Sequence, residues 1–144
     1  MSGPTPICQL IKLPALSIKT TQVGDVAEFL FDAQAVERGY IVTRPIHSGT
    51  VYDRVIDNGE RFFRVQIKAI WNASKVSNSY RAYFRRSKKI GYKSNEVDVF
   101  AVYVKPLNCW YLLPSSGALS AFLKQEYAEN WKIFETDKSH IQET

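Results

Sequence analysis

VYDRVIDNGERFFRVQIKAI, residues 51–70, contains the strongest structural signal in this chain. Its two ends, Val51–Ile56 and Arg61–Ile70, are rich in the β-branched and aromatic residues that favour strands. The residues between them include Asn58-Gly59, a pair that tolerates the positive φ angles of a tight turn. The segment therefore predicts an antiparallel hairpin.

Three polar residues interrupt the apolar pattern of this hairpin. Asp53 lies on the first strand, whereas Gln66 and Lys68 alternate on the second, so that both of their side chains leave the same face. A lysine among apolar neighbours is costly if it is buried without a partner, which requires either an anion or an open face. Asp53 and Gln66 offer the carboxylate and carbonyl oxygens that Mg²⁺ prefers, and Lys68 supplies a positive charge for phosphodiester hydrolysis.

The segment before the hairpin predicts a helix. The helix has Thr21 as its N-cap candidate and ends at Gly39, and its apolar residues recur at helical spacing: Val23, Val26, Ala27, Leu30, Ala33 and Val36. Glu28 of this helix is a candidate for a further position around a metal. The alternative is an exposed carboxylate, since the same helix carries three other acidic residues, Asp25, Asp32 and Glu37.

The remaining elements complete an α/β pattern. Tyr40–Thr43 is a short β-prone run, residues 47–50 form a loop, and strands are predicted at Val97–Val104 and Cys109–Leu113. A second helix is predicted from Ala118 to Tyr127. The predicted fold class is α/β, a mixed central sheet that contains the antiparallel hairpin and is flanked by helices.

The positive charge is concentrated in one part of the chain. The formal net charge is +5, and residues 61–95 contain ten of the nineteen Lys and Arg residues but no acidic residue. Aromatic residues, among them Tyr83 and Phe84, are interleaved with these cations, as in surfaces that grip a nucleic-acid backbone. The alternatives are a solvated basic face, and a core position for Tyr83 or Phe84. The predicted DNA-binding residues are His47, Lys75, Arg81, Arg85, Arg86, Lys88, Lys89 and Lys93.

Three motifs resemble the PD-(D/E)XK nuclease superfamily: GDVAE at 24–28, YD at 52–53 and RVQIK at 64–68. Residues 24–114 are also similar to the small group I intron-encoded homing endonucleases of cyanobacteria and their phages, including YKSNEVD at 92–98 and NCWYLLP at 108–114. The resemblance implies a compact α/β nuclease core, Mg²⁺, a homodimer or homotetramer, and cleavage of both strands of double-stranded DNA. It implies four catalytic residues, of which the first three are metal ligands: Glu28, Asp53, Gln66 and Lys68.

Two positions depart from the superfamily pattern. Tyr52 replaces a proline that is not a ligand, and Gln66 replaces the second acid, as it does in the similar homing subgroup. We therefore expect a variant active site in a site-specific, Mg²⁺-dependent DNA endonuclease of homing type. One alternative is a Holliday-junction resolvase, because archaeal resolvases share the core; the other is a catalytically degenerate nucleic-acid-binding protein. Asp98 belongs to the edge of the site or pairs with a basic side chain.

The length and composition fit one domain. A chain of 144 residues with 45% apolar residues can bury one core but not two independent ones. We expect an extended N-terminal arm at residues 1–20, the nuclease domain at residues 21–134 and a polar tail at residues 135–144. No run reaches the roughly 18 apolar residues of a membrane span, and the cysteines and histidines lack zinc-ligand spacing. A soluble, cytoplasmic protein is expected.

Overall fold

A five-stranded mixed sheet forms the centre of the molecule, whose computed structural model describes residues 17–72, 80–84, 90–93 and 95–135. The strands are β1 (Ile41–Thr43), β2 (Arg54–Asp57), β3 (Phe62–Ile70), β4 (Arg81–Tyr83), β5 (Val99–Val104), β6 (Cys109–Pro114) and β7 (Ser120–Phe122). The central sheet has the order β1-β2-β3-β5-β6, with β3 and β5 parallel and the other neighbours antiparallel. The predicted α/β class and mixed sheet are confirmed.

The predicted hairpin is present as β2 and β3. Gly59 has a φ of +93°, and Asn58 Oδ1 accepts hydrogen bonds from two backbone N–H groups of the turn. The Asn-Gly pair thus closes the turn in the predicted way. β2 begins at Arg54, later than predicted, so Asp53 stands at its entrance and donates its backbone N–H to Val65 O at 2.9 Å.

Helix α1 (Thr20–Glu37) covers one face of the central sheet. Its N-cap is Lys19 rather than the predicted Thr21, and Gly39 follows its end as predicted, with a φ of +89°. The buried side chains of α1 are Ala27, Phe31 and Ala35. Of the predicted apolar set, only Ala27 is buried.

Phe31, which lies outside the apolar set that indicated the helix, sets the rotation of α1 on the sheet. Phe31 is fully buried and contacts Trp110 and Trp131, each at a ring-centroid distance of 5.6 Å. Burying a phenylalanine contributes about 1.5–3 kcal/mol, and both tryptophans lie far along the chain. Leu30 and Val36 are exposed as a result.

The second face of the central sheet is covered by β4 and β7, which form an antiparallel pair. Phe84 is buried and stacks on Phe100 at a centroid distance of 4.2 Å, whereas Tyr83 is exposed. Of Tyr83 and Phe84, Phe84 is therefore the residue that belongs to the core. Among the described residues α1 is the only α-helix, so this face is flanked by strands and not by the predicted second helix.

The helix predicted at residues 118–127 is not formed. Ser120–Phe122 is β7, and Gln125–Tyr127 is a single 3₁₀ turn. Gly117, with a φ of +79°, turns the chain, and Leu123 is buried after β7. Short isolated helices are marginal in water, so strand pairing with β4 decides the conformation here.

Some predictions lie outside the described residues. They concern the N-terminal arm up to residue 16, the tail from residue 136, and five predicted DNA-binding residues, Lys75, Arg85, Arg86, Lys88 and Lys89. Within the described part of the chain, no helix combines the length and hydropathy that crossing a bilayer requires.

Candidate active site

Asp53 occupies the entrance to β2, where two hydrogen bonds fix it to β3. Its backbone N–H donates to Val65 O at 2.9 Å, and its Oδ2 accepts from the Ile67 N–H at 2.8 Å. The two bonds flank Gln66, so Asp53 is anchored beside that residue. Burial raises the pKa of Asp53, whereas the Ile67 N–H and neighbouring positive charges act to lower it.

Gln66 lies on the face of β3 that points away from α1. Its neighbours Val65 and Ile67 pack in the core on the α1 side, and strand alternation directs Gln66 to the opposite face. Its Oε1 is buried and has no hydrogen-bond partner among the described residues. A buried polar atom without a partner costs about 1–3 kcal/mol, so it needs an explanation in a native protein.

Lys68 follows Gln66 on the same face of β3. Its Nζ lies 5.4 Å from the centroid of the Tyr92 ring, which belongs to the core under β4 and β7. Burial lowers the pKa of Lys68, and the charge of Asp53 acts to raise it. Asp53 and Lys68, both predicted to be catalytic, therefore interact electrostatically.

Glu28 reaches the site from α1. It lines a cleft of about 450 Å³ together with Asp53. Burial raises the pKa of Glu28, and the negative charge of Asp53 raises it further. Of the two alternatives for Glu28, the structure favours a cleft residue over an exposed helix carboxylate. Two carboxylates that repel each other across a cleft create a site that favours a cation.

Arg54 is not among the predicted site residues, yet it organises this cleft. Only 5% of the residue is exposed, and its Nη1 donates to Glu28 Oε1 at 2.9 Å and to Asp53 O at 2.8 Å. Its Nε and Nη2 donate to the two carboxylate oxygens of Asp32 at 2.7 and 3.0 Å. Strand alternation could have identified Arg54 from the sequence, because Arg54 lies two residues before the buried Ile56 and therefore on the same face of β2. A buried arginine needs carboxylate partners.

The loop at residues 44–50 forms another wall of the same cleft. It contains His47, a predicted DNA-binding residue, which is exposed and has its Nδ1 3.0 Å from Ser48 O. The structure therefore places His47 beside Glu28 and Asp53.

Arg81 and Lys93, two other predicted DNA-binding residues, are exposed but do not belong to the described lining of this cleft. The Arg81 guanidinium lies 4.2 Å from the centroid of the Phe122 ring, across the β4–β7 pair.

Asp98 forms an ion pair with Arg64. Its carboxylate accepts hydrogen bonds from the backbone N–H, Nε and Nη2 of Arg64 at 2.8, 2.9 and 2.9 Å. Its own N–H donates to Arg64 O at 2.9 Å. Of the two alternatives for Asp98, the pair with a basic side chain is the one observed.

A metal ion at this site would be held by oxygen ligands. Across the described ranges, no group of three or more His, Cys, Asp or Glu side chains could hold a metal. Asp53 and Glu28 supply two carboxylates of the cleft lining, to which Gln66 and Lys68 do not belong. Gln66 carries a further oxygen, the unpartnered Oε1, on the strand that Asp53 contacts. This donor set fits a hard divalent cation such as Mg²⁺.

Comparison with known proteins gives one family and two similar structures. Residues 18–143 match the model of a family described as PD-(D/E)XK endonuclease. The structure of a bacterial homing endonuclease, I-Ssp6803I, is similar with a TM-score of 0.67 and 24% sequence identity, over 87% of this chain and 98% of that one. Hjc, a Holliday junction resolvase from the archaeal hyperthermophile Archaeoglobus fulgidus, has a TM-score of 0.48 and 12% identity, over 74% and 87%. No curated protein matches this chain.

Proposed function

The chain belongs to the PD-(D/E)XK endonuclease family, and from this premise we propose that it is a site-specific, Mg²⁺-dependent endonuclease of homing type. Family membership makes it a metal-dependent DNA endonuclease; the metal, the specificity and the catalytic residues are the proposal. The observation that supports it is Gln66 Oε1, which is buried without a partner among the described residues. Gln66 lies between Val65 and Ile67, the two residues of β3 to which Asp53 is hydrogen-bonded.

Asp53, Gln66 and Glu28 are the proposed ligands of Mg²⁺. The Ile67 N–H holds Asp53 Oδ2, which fixes the carboxylate before any ligand arrives. Burial raises the pKa of Glu28 and repulsion from Asp53 adds to that effect, and a cation between the two carboxylates would offset the repulsion. A divalent ion held there would supply Lewis-acid stabilisation of the charge that develops on the scissile phosphate.

Lys68 is the proposed catalytic cation of the protein itself. Because burial removes much of its hydration, its ammonium interacts more strongly with a phosphate oxygen than a lysine in water would. Its role is to stabilise negative charge on the phosphate and to orient the attacking water.

Arg54 is the proposed positioning residue for Glu28. It ties one oxygen of Glu28 to the backbone of Asp53, and Asp32 holds the other side of the guanidinium. The two carboxylates of the cleft are thereby held at a fixed separation, as metal binding requires.

The proposed substrate is duplex DNA bound by two or more copies of the chain. The predicted DNA-binding residues bind the phosphate backbone, and symmetric copies present one active centre to each strand. A homodimer or homotetramer follows, because one centre cuts one strand.

The proposal is tested by incubating the protein with random-sequence duplex DNA and Mg²⁺ and sequencing the ends. A shared sequence around the ends is the expected result. Cleavage of four-way junctions without cleavage of linear duplex would contradict site-specific cutting, and no cleavage of any DNA would contradict enzymatic activity.

The role of Lys68 is tested with Lys68→Ala. The variant should lose Mg²⁺-dependent cutting by at least about a hundredfold while still binding the duplex. Lys124→Ala, which removes an exposed lysine, is the matched control and should cut normally. Cutting at the wild-type rate by Lys68→Ala would contradict the mechanism.

A further inference from the structure

The proposed chemistry uses one wall of the cleft and gives the loop at residues 44–50 no role beyond the predicted contact of His47 with DNA. That loop lines the same cleft as Glu28 and Asp53. A DNA strand with a phosphate at Asp53 would lie beside this loop, because both line one cleft. The side chains of the loop are therefore candidates to contact the bases beside the scissile bond.

Ile46, at the tip of this loop, is the most exposed large apolar residue of the described chain. Its exposed fraction is 103%, whereas that of the next, Phe62, is 68%. Single exposed apolar residues are common on protein surfaces. Ile46 differs from them in two ways. No part of its side chain is buried by the rest of the protein, and it lines the cleft of the candidate active site.

The loop holds Ile46 in a defined position. Pro45, which precedes Ile46, is half-buried, and Thr50 Oγ1 donates a hydrogen bond to Tyr52 O at 2.9 Å. Gly49, with a φ of +83°, provides the bend. A loop constrained in this way loses little entropy when its tip contacts a ligand.

The residues around Ile46 fit nucleic acid. Arg44 and His47 are exposed on either side of it, and both line the cleft. An arginine and a histidine can bind consecutive phosphates, while the aliphatic side chain between them suits the stacked face of a base. Apolar side chains in this setting insert between base pairs and unstack them.

We propose that Ile46 is a wedge that enters a base step of the duplex next to the scissile phosphate, with Arg44 and His47 on the flanking phosphates. This rests on the proposed endonuclease function and adds a source of specificity to it. Sites whose step beside the cut unstacks easily, such as pyrimidine–purine steps, are favoured over stiff ones.

The wedge is tested with 2-aminopurine, whose fluorescence rises when the base is unstacked. Duplexes carrying the cut site found in the sequencing experiment are labelled at successive positions around the cut, and Ca²⁺ replaces Mg²⁺ to keep them intact. The wild-type protein should raise the fluorescence at one step beside the cut. Ile46→Ala should abolish this rise and weaken binding about tenfold.

Ile41→Ala is the matched control, because Ile41 is 59% exposed on β1, and it should behave as the wild type does. If the wild type cuts DNA but no position brightens, or if Ile46→Ala equals the wild type, the wedge is refuted while the endonuclease proposal stands. A smaller oligomer for free Ile46→Ala in sedimentation would also refute it, because Ile46 would then contact another protein chain. Absence of any DNA cleavage by the wild type would refute the proposed function instead.

Discussion

Gln66 is the residue at which folding stability and metal binding make opposite demands. Its buried Oε1 is removed from water on folding and accepts no hydrogen bond among the described residues. An apolar side chain of similar size would avoid that cost. If Gln66 is a metal ligand, as proposed, the amide costs stability at a functional site, as commonly happens.

Gln66→Leu should therefore stabilise the metal-free protein by about 1 kcal/mol and abolish cutting. With Mg²⁺ a hundredfold above its Kd, the wild type should gain about 2.7 kcal/mol that the variant does not. Urea unfolding with and without Mg²⁺ measures both effects. Gln125→Leu, at an exposed glutamine, is the control and should change neither. An Mg²⁺ effect on Gln66→Leu as large as on the wild type would exclude Gln66 as a ligand.

At the level of elements, the ion pair of Arg64 and Asp98 joins β3 to the segment that enters β5. Burial works to raise the pKa of Asp98, but hydrogen bonds and charge from Arg64 outweigh it and leave the pKa below its usual value. A carboxyl with a lowered folded pKa stabilises the protein above its unfolded pKa. That stabilisation is lost as the pH falls through the folded pKa.

Asp98→Asn should destabilise the protein at pH 7 by about 2 kcal/mol, because it removes charged hydrogen bonds. The difference from the wild type should shrink as the pH falls below about 4, the region of the unfolded carboxyl pKa. Urea unfolding across acid pH measures it, with Glu60→Gln, an exposed carboxyl, as control. A difference that stays constant down to acid pH would mean that charge at Asp98 is not responsible.

Asp32 and Glu28 join α1 to β2 through Arg54, which bears on catalysis. Asp32→Ala leaves the buried guanidinium with only Glu28 and the Asp53 carbonyl as partners. The free energy of unfolding should fall by about 2 kcal/mol, less than for a fully buried ion pair because Asp32 is partly exposed.

Cutting by Asp32→Ala should also fall, because Glu28 shifts toward the space that Asp32 leaves, and the variant should need more Mg²⁺. Asp32→Asn keeps one acceptor and should recover part of the activity, whereas Glu37→Ala, at an exposed acid of the same helix, should cut normally. An unchanged Mg²⁺ requirement in Asp32→Ala would restrict Asp32 to a structural role.

Elements set by local sequence were predictable, and those set by distant contacts were not. The β2–β3 hairpin follows from strand alternation and an Asn-Gly turn, and it fixes Asp53, Gln66 and Lys68 relative to one another. β7 was mistaken for part of a helix because its partner β4 lies far away in the chain. The role of Arg54 depends on α1 packing against the hairpin, which no local pattern specifies.

At the scale of the whole molecule, the two faces of the central sheet differ in kind. The α1 side holds an aromatic core that includes Phe31, Trp110 and Trp131. Gln66 and Lys68 leave β3 on the other face, which carries β4 with exposed Arg81. Within the described residues, Lys68 and Arg81 of the basic window at residues 61–95 therefore belong to β3 and β4 on this side of the sheet.

This arrangement predicts that the salt dependence of DNA binding comes from one side of the molecule. Removing a cation that binds a phosphate should reduce the slope of log K against log salt by about 0.9. Arg81→Gln with Lys93→Gln, which removes two exposed cations of the described part of this window, should therefore reduce it by about 1.8. Arg38→Gln with Lys132→Gln removes two exposed cations from the α1 side, where Arg38 lies over Trp131, and should leave the slope unchanged. Binding titrations at several salt concentrations measure both slopes, and equal reductions in the two variants would mean that net charge, not a DNA-binding face, governs binding.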